Sequence, residues 1–88
     1  RRVLFRSTRK SIDLLRDALE GKDREEASRI SHKLIPLFTM LGANSLVQHL
    51  RILEKNDEEL TDSGWYHLLG EVIEQALAIV KDAESAIG

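Results

Sequence analysis

The chain has 88 residues, with 13 basic against 15 acidic side chains for a formal charge of −2, and is 42% hydrophobic and 32% charged. A chain of this size holds one small domain with a modest core, and the mixed signs exclude the broad basic surface that nucleic acid requires. With no cysteine, disulfides, thiolate metal sites and thiol nucleophiles are excluded.

Five glycines and one proline favour long regular elements, and an aromatic content of 5% makes Leu, Ile, Val and Ala the expected core. No apolar run approaches membrane-spanning length and no signal-peptide pattern is present, so no membrane contact is expected from this segment. The first residue is Arg1 rather than Met, which reads as a piece of a longer protein. Residues 1–88 read as a single domain, with linker residues expected within positions 1–7.

The first helical segment is expected from Val3 to Glu20, with Phe5, Ile12, Leu15 and Leu19 near one face, and "EGKD" ends it. Asp23 is the expected N-cap of a second helix, with Glu26 as its capping-box partner. That helix should run from Arg24 to about Leu41, its stripe formed by Ala27, Ile30, Leu34, Leu37, Phe38 and Leu41. Gly42 supplies the stop. A third segment opens at Asn44 or Ser45, carries Leu46, Leu50 and Leu53, and closes at "EKNDEE". Thr61 or Asp62 opens a fourth, in which Leu68, Leu69, Val72, Ile73, Ala76, Val80 and Ala83 share a broad face. Four amphipathic segments with short connections predict an all-α, antiparallel up-down four-helix bundle.

The second segment contains "ISHKLIPLFTMLGA", with a proline inside the helical rhythm and a histidine four places before it. At about 100° per residue, His32 falls about 170° from the centre of the apolar stripe and points at solvent. Glu25, Ser28, Ile35, Pro36 and Thr39 share its face, with Arg29 and Lys33 to one side. Ile35 and Pro36 are apolar positions off the core stripe and form a small candidate docking surface. The alternative is that they are ordinary single surface apolar residues. Pro36 lacks the N–H that would bond the carbonyl of residue 32, leaving that acceptor free, and equally fits a simple kink. His67 also faces away from its stripe, and His49 sits at the boundary of its own. The three histidines lie on different segments without ligand spacing, so no metal site is expected.

The stretch "SHKLIPLFTMLGANSLVQHLRILE" resembles the central motif of histidine-containing phosphotransfer (HPt) domains, approximately A-H-x-L-K-G-S-x-x-x-L-G-A followed by spaced leucines ending in Leu-Glu. The matching residues are His32, Leu34, Leu41, Gly42 and Ala43, then Leu46, Leu50, Leu53 and Glu54. Ser31 stands where the family often has Ala, Ile35 where it commonly has Lys, and Pro36 where it has Gly. The segment also resembles the H-box of histidine kinase dimerisation domains, approximately S-H-E-L-R-T-P-L. There an acid follows the histidine, whereas Lys33 follows here, and the proline here comes one position early.

The HPt resemblance implies a phosphorelay module without autonomous kinase activity. His32 would accept a phosphoryl group, at Nε2, from an aspartate of a response-regulator receiver domain and pass it on. Lys33 and Arg29 would neighbour the phosphoryl group, and Ser28, Ile35, Pro36 and Thr39 would form the docking face. The resemblance implies no cofactor of its own, a divalent metal on the partner receiver, and a monomer. It also implies a cytoplasmic location, as a free-standing protein or the C-terminal domain of a hybrid sensor kinase. The alternatives are a helical interaction or dimerisation module without phosphoryl chemistry, and a fragment of a kinase dimerisation domain.

Overall fold

A computed structural model describes the backbone of residues 2–87 and the side chains of residues 5–86; Arg1 and Gly88 lie outside the described residues. Four helices follow one another: α1 (Arg2–Gly21), α2 (Arg24–Met40), α3 (Asn44–Lys55) and α4 (Asp62–Ile87). No strand occurs among the described residues. Each helix packs on its sequence neighbours, and α1 also packs on α4, which closes the ring. The long dimension of the molecule is 41 Å, close to the length of about 39 Å expected for the 26 residues of α4 at 1.5 Å per residue. No helix among the described residues is long and apolar enough to cross a membrane.

Helix α1 begins at Arg2, inside the stretch expected to include linker. Phe5 is buried in the core with Ile12 and Leu15, because it continues the same heptad-like face two turns earlier. The end of α1 is a Schellman arrangement: Asp23 N–H donates to Ala18 O and Lys22 N–H to Leu19 O. The left-handed position falls on Lys22 (φ 54), not on Gly21 beside it. A side chain with a Cβ is disfavoured there, so Lys22→Gly is expected to raise stability by about 0.5–1 kcal/mol. The readout is a higher urea midpoint at unchanged slope; a midpoint that stays put or falls would refute backbone strain at this residue.

Helix α2 starts as expected, with Glu26 N–H donating to Asp23 Oδ1 at 3.1 Å. The reciprocal half of the capping box is replaced, because the Glu26 carboxylate turns to Arg29. Helix α2 is unbroken through Pro36 and ends in a complete Schellman motif. Gly42 (φ 76) donates to Thr39 O, and Ala43 to Phe38 O at 2.9 Å. Leu41 is therefore the C-cap residue outside the last turn and is exposed rather than in the core stripe. Ala43 occupies the N-cap of α3 with no side-chain hydrogen bond, so neither Asn44 nor Ser45 caps it. The residue at the cap position is an alanine, which has no side-chain acceptor to offer. Thr61 caps α4, its Oγ1 accepting from Gly64 N–H at 3.0 Å.

The core joins Ile30, Leu34 and Phe38 of α2 to Leu46, Leu50 and Leu53 of α3, with Leu69, Val72, Ile73, Ala76 and Val80 of α4 and the α1 residues already named. Trp65, which the periodicity left out because it stands among "TDSG" and "YH", is also buried there. Its indole lies 5.8 Å from the Arg24 guanidinium carbon. Arg24 Nε donates to Asn56 Oδ1 at 2.9 Å and Nη1 to Asp62 Oδ1 at 3.0 Å. One arginine at the start of α2 thus holds the end of α3 and the start of α4 in register.

Candidate functional site

The candidate face is built on α2. The stripe Ala27, Ile30, Leu34 and Phe38 is sunk in the core, which fixes the rotation of the helix about its axis. That rotation turns His32 outward, with 72% of its side chain exposed. Ser31, immediately before it, is fully buried, and its hydroxyl has no hydrogen-bond partner among the described residues.

The His32 ring is not unattended. Its Nδ1 meets a carboxylate oxygen, Oε2 of Glu54 in the last turn of α3. A carboxylate can only accept, so this contact holds the proton on Nδ1 and leaves the lone pair on Nε2. Nε2 has no hydrogen-bond partner among the described residues. The arrangement is an exposed imidazole with one ring nitrogen held by an adjacent acid and the other open, the logic by which a histidine is oriented in many catalytic sites. Glu54 stood in the sequence only as the final residue of a leucine-rich pattern. A carboxylate 22 positions downstream carries no local signal that it will reach the ring.

The remaining residues of the expected site divide. Lys33 is exposed, with no salt bridge among the described residues. Arg29 is one turn from His32, but its guanidinium is engaged by Glu26, with Nε on Oε1 at 3.1 Å and Nη2 on Oε2. This hydrogen bond to Arg29 holds the Glu26 carboxyl below its ordinary range, with a smaller contribution from Lys33. Of these two cations, Lys33 is the one outside an ion pair among the described residues.

Pro36 and Thr39 are exposed on the His32 face. Ile35 differs from expectation: it is half-buried and packs against the core. Ser28 is also half-buried; its hydroxyl donates to the main-chain carbonyl of Glu54. The exposed apolar element nearest in register is instead Met40, 74% exposed and one turn beyond Pro36.

The other two histidines are placed differently. His49 is half-buried with its Nδ1 sealed and unpartnered. His67 is exposed on α4 and lines a cleft with Lys22, Arg24 and Tyr66, a cleft to which His32 does not contribute. Among the described residues, no three His, Asp or Glu side chains converge where a metal ion could sit.

Comparison with known proteins gives one match: the family model described as "Hpt domain" aligns with residues 1–83. No curated protein and no solved structure matches the chain.

Proposed function

The chain belongs to the Hpt domain family, the histidine phosphotransfer modules of two-component phosphorelays, and from this we propose that His32 is its phosphoryl carrier. The observation that carries the proposal is the exposed His32 ring with Nδ1 occupied by Glu54 and Nε2 open.

The donor is an aspartyl phosphate on a receiver domain. The Nε2 lone pair attacks phosphorus, the bond from phosphorus to the aspartyl oxygen breaks, and the aspartate leaves as a carboxylate. The ring keeps its proton on Nδ1 and gains positive charge, which the Glu54 carboxylate faces. Return transfer reverses these events. Catalysis of this kind is chiefly in-line placement and charge neutralisation. The divalent metal and most of the positive charge come with the receiver, while Lys33 offers a cation to the phosphoryl oxygens. Arg29 contributes to the local potential from within its pair with Glu26. Pro36 and Thr39 form the docking face beside the ring, with Ile35 filling in behind it.

Hpt domains are phosphotransfer modules rather than autonomous kinases. The fine architecture we assign is the antiparallel up-down order. Short connections support it, as does the pairing of Arg9 near the start of α1 with Glu84 near the end of α4. We further assign a cytoplasmic, monomeric module, either free-standing or part of a hybrid sensor kinase. Of the exposed large apolar side chains, Leu14, Ile52 and Tyr66 sit on three different helices and Met40 and Leu41 adjoin at the end of α2, which supports a monomer over a dimerisation module. Sedimentation at several concentrations should return a monomer throughout; a concentration-dependent dimer would revive that alternative.

Glu54→Ala is expected to leave His32 phosphorylatable but slower. Removing the outer partner of a metal-bound histidine costs about 10–100-fold, and a loss near the lower end is expected here because the receiver supplies most of the machinery. Single-turnover transfer from a phosphorylated receiver measures it; a wild-type rate would show that the carboxylate is a bystander.

A further inference from the structure

Ser28 and His32 are one helical turn apart on α2, and both reach a single residue of α3. His32 Nδ1 meets the Glu54 side chain, and the Ser28 hydroxyl meets the Glu54 main-chain carbonyl. From this double contact we propose that Ser28 is a positioning residue for the phosphotransfer site, setting the tautomer of His32 through Glu54. The inference rests on the reading of His32 as the phosphoryl carrier, although its principal readout does not.

Helix α3 ends at Lys55, so Glu54 lies in the last turn, where carbonyls have no N–H donor from their own helix. Asn56 N–H caps Ile52 O, which leaves the carbonyl of Glu54 to find another partner. The Ser28 hydroxyl is that partner, and it comes from the helix that carries the histidine. The hydrogen bond therefore satisfies a helix end and also fixes the last turn of α3 against α2 at the height of His32.

Without that hydroxyl, the carbonyl of Glu54 turns to water and the terminal turn gains freedom, as helix ends do. The Glu54 carboxylate then meets Nδ1 for a smaller fraction of the time. An imidazole freed of a fixed acceptor carries its proton on either nitrogen, and a proton on Nε2 blocks the attacking lone pair. The Arg24–Asn56 hydrogen bond lies just beyond, at 2.9 Å, and keeps the end of α3 attached. The effect of losing Ser28 is thus local to the site, not to the fold. On this account Ser28 faces its own bundle and not the receiver.

The test is ring 15N chemical shifts of His32, recorded above the imidazole titration range in the wild type, Ser28→Ala and Ser28→Thr. The wild type should be mainly the Nδ1–H form. Ser28→Ala should move the proton population toward Nε2 and slow transfer from a phosphorylated receiver several-fold, with helicity by circular dichroism unchanged. Ser28→Thr keeps the hydroxyl and should restore both. If Ser28→Ala loses helicity, Ser28→Cys, a weaker donor of similar size, should give an intermediate tautomer ratio. A wild-type tautomer ratio in a folded Ser28→Ala or Ser28→Cys variant overturns the proposal. Failure of His32 to accept phosphate at all would instead overturn the function proposed above, while the tautomer ratios still decide the role of Ser28.

Discussion

Replacing His32 with Gln is expected to abolish labelling by a phosphorylated receiver while leaving the bundle folded. Glutamine is close to histidine in size but offers no nucleophilic nitrogen, so the loss should be complete rather than partial. The side chain is 72% exposed, and its contact with Glu54 is a surface pair of a kind worth about 0–1 kcal/mol. Its removal should therefore change the melting temperature by only a few degrees. Neither of the other histidines is placed to substitute. His49 has one ring nitrogen sealed in the bundle wall, and His67 lacks the carboxylate partner that His32 has. The measurement is radiolabel or intact-mass transfer from receiver phosphate, with circular dichroism as the control for folding. Label persisting on the variant would assign the phosphoryl group to another residue and end the His32 account.

The largest effect on stability is expected from Phe38→Ala. Phe38 is fully buried where α2 meets the rest of the core. Removing a buried phenyl ring typically costs about 3–5 kcal/mol, part lost transfer energy and part residual cavity. For a chain of this length, total stability is on the order of 4–13 kcal/mol, so this one change removes roughly a quarter of it or more. At roughly 4 °C or more per kcal/mol for a small domain, the melting temperature should fall by at least about 12 °C. Below that transition, Phe38→Ala should still accept phosphate, because the ring of His32 points the other way. A drop under about 4 °C would mean that the core closes over the gap. Lost transfer in a still-folded variant would mean that the site depends on the core more directly than its geometry implies.

Most of the architecture was legible before any coordinates. The stripe Ala27, Ile30, Leu34 and Phe38 is buried as its spacing predicts, and Asp23, Gly42 and Thr61 mark helix ends with the chemistry that their side chains allow. These are local signals, each contained within one or two turns. The misses are equally local in origin. Trp65 escapes the periodic pattern because polar neighbours in the first turn of α4 mask its register, yet it is one turn before Leu69 and seven residues before Val72 on the same face. Leu41 fits the stripe by arithmetic and leaves it because the helix stops one residue earlier. The left-handed position after α1 sits on Lys22 although a glycine adjoins it, a choice made by the hydrogen bonds of Asp23 and Lys22.

The site was half legible. Helical periodicity alone turns His32 away from the core, because 3.6 residues per turn fixes the angle between any two side chains of one helix. It also marks Pro36 and Thr39 as companions on that face. What periodicity cannot supply is the distance between side chains on different helices, which depends on the rotation and crossing of each pair. Only tertiary packing brought the Glu54 carboxylate onto Nδ1, committed the Ser28 hydroxyl to the carbonyl of Glu54, and drew Ile35 against the core. By itself, then, the sequence determined four helices, their buried faces and an outward histidine, since each of these is a property of a single helix. The three-dimensional fold decided which nitrogen of that histidine is free, since that depends on a contact between residues 22 positions apart.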